Sequence, residues 1–147
     1  EFAERMAAAK AADHKGLLVS ADTVVHVEGE ILGKPTSQTD AVRMLERLSG
    51  RNHIVTTGVC VGRSLRKIFS VSTRVSFRHL KPEEIHDYVA TGEPMDKAGG
   101  YGIQGMAACF VLTVDGSYTN VVGLPLAEVV RALSANGCPP PFHTGVS

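Results

Sequence analysis

Apolar positions along the chain switch repeatedly between a helical and an alternating period. Residues 3–12, AERMAAAKAA, are strong helix formers and predict the end of a helix. Residues 17–25, LLVSADTVV, read as a largely buried strand with polar interruptions. The run continues from His26 to Leu32, where Glu28 to Glu30 predict a tight turn between two strands. A helix is expected from Ser37, with Asp40 three residues on in capping-box spacing. Ala41, Met44, Leu45 and Leu48 share one face of it, and Gly50 can close it in the left-handed conformation. Strands follow around 53–61 and 68–78. In the second, Val71, Thr73, Val75 and Phe77 alternate with Ser72, Arg74, Ser76 and Arg78, which predicts one wet face. Pro82, followed by Glu83 and Glu84, opens a helix to Ala90 with Gly92 past its end. Residues 106–114 and 117–122 predict a hairpin around Asp115-Gly116. Pro125 opens a last helix whose core face is Leu126, Val129, Val130 and Leu133, ended by Gly137. Strands and helices interleave while hairpins are frequent. The pattern predicts an α/β fold with a mixed sheet rather than a purely parallel one.

Length and charge narrow the classes of function. At 147 residues the chain is sized for one domain, expected over 1–137, with a flexible tail over 138–147. Its 44% apolar and 20% charged residues are ordinary for a globular protein. Lys plus Arg (15) balance Asp plus Glu (15), so no net positive field holds a nucleic-acid polymer. No apolar run approaches the ~20 residues that span a bilayer, and no basic-then-apolar leader opens the chain. Cys60, Cys109 and Cys138 are scattered and odd in number, which argues against a disulfide framework or zinc knuckle. A cytoplasmic protein is the expectation, with a homodimer allowed. The chain opens Glu1-Phe2-Ala3-Glu4 within a helical segment and without methionine, so it reads as a fragment whose N-terminus is missing or not shown.

Three motif matches fail on context. Gly100-Tyr101-Gly102-Ile103-Gln104-Gly105 fits G-x-G-x-x-G, but no apolar strand precedes it and strand-like Phe110-Val111-Leu112 follows. Gly29 to Lys34 is one residue short of a Walker loop, with Pro35 in place of Ser or Thr. His26-Val27-Glu28 lacks the P-C-x-x-C that completes a deaminase zinc site. Other features stay open. Asp22 interrupts an apolar strand, where a carboxylate must be paired, metal-bound or hydrogen-bonded to nearby backbone. Lys34, between Gly33 and Pro35, is either a solvated lysine or an ammonium held by a rigid turn. The segment from Asp96 to Gly105 has four glycines within seven residues, which lets backbone approach a ligand closely. Tyr101 and Ile103 within it speak against an idle surface linker.

Ordered blocks carry a resemblance. Ala21-Asp22-Thr23-Val24-Val25, Leu32-Gly33-Lys34-Pro35, Leu48-Ser49-Gly50, Thr57-Gly58-Val59, Gly92-Glu93-Pro94, Asp96 to Gly105, Gly116-Ser117-Tyr118 and Asn120 to Pro125 follow one another at the right spacing. The series resembles the Maf family of nucleoside triphosphate pyrophosphatases, over nearly the whole chain to about Asn136. The resemblance implies a two-lobed α/β fold related to the inosine triphosphate pyrophosphatases, with a central cleft. It implies hydrolysis of a nucleoside triphosphate between the α and β phosphates, giving the monophosphate and pyrophosphate. Asp22 matches the family's catalytic acid, assigned to general-base or metal-binding work. Lys34 matches a phosphate-cleft lysine, and Lys10 a further one. Thr23 and Gln104 match positions tied to substrate choice, and the G-Y-G-I-Q-G form resembles the branch acting on dTTP and UTP.

Elementary chemistry agrees with those implied roles. A leaving pyrophosphate needs cations and amides, which Lys10, Lys34 and Lys97 with the glycine loop can supply. A carboxylate such as Asp22 can hold Mg²⁺, or Mn²⁺ in its place, or orient a water. The Gln104 amide both donates and accepts, as a pyrimidine edge requires. One departure stands out: the family's S-x-S-P-R-R loop, whose arginines grip phosphate, has no match here. A catalytically silent nucleotide-binding regulatory module is therefore the competing expectation.

Overall fold

The computed structural model describes residues 1–12 and 15–142. Helix α1 (Phe2–Ala11) leads to strand β1 (Leu18–Val27), which turns back into β2 (Glu30–Leu32). Glu28 and Gly29 both have positive φ (46° and 81°), the two-residue geometry that matches strand twist. Helix α2 (Gln38–Leu48) follows, then the long strands β3 (Asn52–Gly62) and β4 (Arg66–Phe77), and helix α3 (Pro82–Ala90). Three short 3₁₀ segments lead to β5 (Val111–Asp115), helix α4 (Tyr118–Val122) and helix α5 (Leu126–Ala135). The sheet order is β2-β1-β3-β4-β5, and every neighbouring pair is antiparallel. The fold is thus mixed α/β around an antiparallel sheet.

Strand parity decides what covers each face. Val25, Val27, Val55, Val75 and Phe77 form the main core with Leu45 and Leu48 of α2 and with Ile85 and Val89 of α3. Further along the same face, Val59 and Val61 meet Val129 and Ala132 of α5. The residues between, Gly58 and Cys60, point the other way, and Ala7 and Ala11 of α1 pack on Cys60 there. β2 reaches only as far as Val25, so the edge of β1 before Val25 has no described strand beside it.

Most element boundaries agree with the amphipathic pattern, including all four buried residues predicted for α2. At its start Ser37 Oγ accepts from Asp40 N at 3.0 Å, while the Asp40 carboxylate accepts from Thr36 N, one residue before the expected partner. The expected hairpin around Asp115-Gly116 is not formed. Met106–Phe110 is 3₁₀, Val111–Asp115 pairs with β4, and Tyr118–Val122 is helical. The reason is polar. Thr73 of β4 accepts from Ser117 N at 3.1 Å, and Ser117 Oγ accepts from Asn120 N at 3.1 Å, which starts a helix instead of a return strand. On α5 the core face is narrower than expected. Val129 and Ala132 are buried and Leu133 packs beside them, whereas Leu126 is 49% exposed. The tail beyond Phe142 lies outside the described residues. Among the described residues, no helix is long and apolar enough to cross a membrane.

One polar residue is sealed in the main core. His53 is 2% exposed and edge-on to Phe77, and its Nε2 lies 2.8 Å from the Tyr101 hydroxyl. Its Nδ1 finds no partner among the described residues. Burial pushes the His53 imidazole down to about 4 from its ordinary 6.5. The folded state therefore binds this proton less readily than the unfolded chain. Stability from this site is complete above pH 6.5 and is lost as pH falls toward 4. Between pH 7 and pH 5 the expected loss is about 2 kcal/mol. Urea titrations at both pH values should show that loss in the wild type and not in His53→Gln; parallel pH dependence in both proteins would exclude His53 as its source.

Candidate active site

Every residue singled out for chemistry lines one cleft of about 440 Å³. α1 supplies Lys10, β1 supplies Asp22 and Thr23, the turn after β2 supplies Lys34, and the glycine loop supplies Lys97 and Gln104. Three features of the backbone bring them together.

The first is the seat of α1. Asp22 pairs across the ladder with Gly58, and a Cβ on Gly58 would fall 2.2 Å from the Ala3 carbonyl carbon. The helix therefore lies directly on the strand, with Ala3, Ala7 and Ala11 buried at four-residue intervals. Lys10, seven residues after Ala3, then reaches Asp22: its ammonium contacts Asp22 Oδ1 and donates to the Ala21 carbonyl at 3.3 Å. With Lys10 about half exposed and Asp22 22% exposed, this pair contributes little to stability. It sets a cation and a carboxylate side by side at the cleft.

The second is the docking of the glycine loop. Gly99 (φ 72°) donates to the Gly33 carbonyl at 3.0 Å, and a Cβ there would meet Val25 at 2.9 Å. Only glycine permits this approach, which clamps the Lys34 turn to the loop beside β1. Tyr101 and Ile103 are buried and anchor the loop, leaving Gln104 exposed between them and Gly105. Gln104 makes no hydrogen bond to another described residue, so its amide is free for a ligand. Lys97 lies across Gly102, where a Cβ would sit 2.5 Å from its Cε, and pairs with Asp96 at 2.9 Å. That pairing holds the Asp96 carboxyl below its usual range.

The third is a buttress beneath the loop. The Glu93 carboxylate accepts from the Tyr88 hydroxyl at 3.0 Å and from Met106 N at 3.2 Å, while Gly102 N donates to the Tyr88 oxygen at 3.4 Å. Gly105 has no room for a side chain above that carboxylate. Burial, with Glu93 alongside, raises the Tyr88 phenol and keeps it protonated as the donor.

A family model described as Maf-like protein matches residues 1–136. The chain belongs to the Maf family. Among similar proteins, one from Nitratidesulfovibrio vulgaris (strain Hildenborough) is 53% identical over 138 residues, 92% of this chain and 66% of its own length. Another from Geobacter sp. (strain M21) is 54% identical over 134 residues, 89% of this chain and 69% of its own. A third, from Photorhabdus laumondii, is 57% identical over 113 residues, 76% and 58%. All three are named dTTP/UTP pyrophosphatase. The chain thus spans about two thirds of the length of the curated relatives it matches.

Sequence reasoning missed the supports behind the site. Glu93 and Tyr88 carry no local pattern that marks them, because their backbone-amide partners are 13 and 14 residues away. Thr57 and Asn120, both wholly buried, do carry a signal: polar side chains among inward-facing apolar positions.

The seat of α1 is testable by adding one methyl group. Gly58→Ala should lower stability by about 2–3 kcal/mol, because backbone rather than a side-chain tip must give way. Gly33→Ala, with nothing within 4 Å, should stay within about 0.5 kcal/mol. Equal midpoints for the two variants in urea would show that α1 does not bear on Gly58.

Proposed function

We propose that this chain is the body of a nucleoside triphosphate pyrophosphatase acting on dTTP and UTP, with residues 1–137 forming the unit that carries the site. The reading is carried by one observation: three lysines and a carboxylate, drawn from four separate segments, meet in one cleft beside a glycine loop with a free amide. The names of the Maf relatives point the same way. Lys10, Lys34 and Lys97 would offset the charge of the triphosphate in the cleft, although the chain as a whole has no net charge. Water attacks the α-phosphorus, the bond to the bridging oxygen breaks, and pyrophosphate leaves with that oxygen. Asp22 orients the water and takes its proton.

The cleft also fits a divalent ion. Among the described residues no three His, Cys, Asp or Glu side chains cluster as a metal cage. Mg²⁺ does not require one: one or two carboxylates with substrate phosphate oxygens and water suffice. Asp22 is the residue that would hold it, Mg²⁺ first and Mn²⁺ as a substitute, and the ion would neutralise phosphate charge. Lys10 already contacts Oδ1, leaving Oδ2 as the open ligand atom.

A nucleotide panel read by pyrophosphate release tests the assignment. Orthophosphate release, or a purine preference, would overturn it; tight binding without turnover would instead support the silent module. Asp22→Asn sharpens the test. Turnover should fall by roughly 10²-fold while the melting temperature stays nearly constant, since the exposed Lys10 pair adds little stability. Turnover within a few-fold of wild type removes Asp22 from the mechanism.

Gln104→Glu addresses base choice. The exposed loop position should tolerate the change, whereas replacing the amide donor by a carboxylate should alter the ratio of rates on UTP, dTTP, CTP and GTP by at least tenfold. Unchanged ratios would mean that Gln104 is no selector.

A further inference from the structure

Behind the cleft, three oxygens stand in a row. Thr23 Oγ1 lies 2.9 Å from Thr57 Oγ1, and Thr57 Oγ1 lies 3.2 Å from the Asn120 carbonyl oxygen. Thr23 lines the cleft, while Thr57 and Asn120 are completely buried. A carbonyl has no proton to give. For both contacts to contain a hydrogen, Thr57 must donate to Asn120, and Thr23 must then donate to Thr57. The reverse order would leave two lone-pair oxygens facing each other, buried, with no proton between them. Asn120 is itself held rigidly, its Nδ2 donating to the Val55 carbonyl at 3.1 Å and to Thr73 Oγ1 at 2.8 Å.

From this geometry we infer that Thr57 and the Asn120 carbonyl fix the polarity of Thr23, so that Thr23 Oγ1 turns only lone pairs toward the cleft and selects a nucleotide that presents an N–H or O–H donor there. The inference rests on the nucleotide reading above and deepens it. The family resemblance already ties the Thr23 position to substrate choice; what the relay adds is Thr57 as a positioning residue that acts through it. Two groups on a uridine or thymidine nucleotide have this chemistry: the imide N3–H of the base and a sugar hydroxyl. Cytosine replaces the first by a lone pair, which would oppose the Thr23 oxygen. A site left with two acceptors face to face rejects its ligand by about tenfold or more.

The experiment measures binding and turnover of UTP, CTP and 3′-deoxy-UTP by wild type, Thr57→Val and Thr57→Ser. Valine keeps the shape and removes the hydroxyl, and the Asn120 carbonyl still accepts from Gly123 N at 3.0 Å, so the fold is retained. Wild type should prefer UTP by tenfold or more over one of the two analogues. CTP as the weaker one identifies the imide, 3′-deoxy-UTP the sugar. In Thr57→Val the Thr23 hydroxyl is free to turn, and that preference should drop at least fivefold; Thr57→Ser should restore it. Unchanged ratios in Thr57→Val, or serine behaving like valine, overturn the relay. If Thr57→Val does not fold, Thr23→Val makes the same comparison, and a preference retained there also overturns it. Binding without turnover would sink the catalytic reading alone, because the ratios can be taken from dissociation constants. No UTP binding at all would overturn both.

Discussion

The cleft depends on a missing side chain. Because Gly58 presents no Cβ, helix α1 can rest its Ala3 backbone on β3 opposite Asp22, and that single contact sets the height of the whole helix above the sheet. Any larger residue would lift α1 and carry Lys10 away from Asp22. The helix is held at its other end by Arg66 of β4, whose guanidinium donates to the Ala11 carbonyl. Its buried side chains are alanines, and its apolar neighbours are Cys60 and Leu18. Small residues give close approach and geometric definition rather than large burial, which suits a helix that sets the Lys10 ammonium beside Asp22. The weak Lys10–Asp22 pair follows from the packing and does not cause it.

The glycine loop solves the same problem from the other side of the cleft. Gly99 lies on Val25, Gly102 beneath the Lys97 stem and Gly105 over the Glu93 carboxylate, so each glycine marks a place where backbone or a charged stem must pass within contact distance. Glu93, taking hydrogen bonds from Tyr88 and Met106, converts that permissive backbone into a fixed one. From the core side Tyr101 ties the loop to His53. Acidification that protonates His53 would therefore act first where the loop is anchored, so loss of stability and loss of cleft geometry should share one cause.

Much of this was legible in the sequence, for a definite reason. Helices α2 and α3 and strand β4 each bury one face, and periodicity reports one-sided burial directly. Five of the six cleft residues lie in the ordered motif blocks, which record spacing rather than contact, and Lys10 was matched apart from them in its helix. What escaped was set by long-range polar bonds. Thr73 captures Ser117 across 44 residues and turns an expected return strand into α4, and no local propensity contains that bond. Leu126 looked like core because the helical period places it on the same stripe as Val129, yet α5 meets the sheet through Val129 and Ala132 with Leu133 beside them, and Leu126 stays half exposed.

On the proposed reading, the same long-range bonds explain how a neutral chain builds a selective anion site. Charge at the cleft comes from flexible lysines, which attract phosphate without discriminating between bases. Discrimination needs groups whose hydrogen-bond direction cannot adapt, and a lone surface hydroxyl always can. Thr23 loses that freedom only because β3 places Thr57 behind it and α4 places a carbonyl behind Thr57. Asn120 ties α4 to the sheet through Val55 of β3 and Thr73 of β4. In the proposed relay, the departure from the expected hairpin is thus tied to recognition. A return strand over 117–122 would have left the Thr57 hydroxyl without this buried carbonyl acceptor, and Thr23 free to accept either kind of partner.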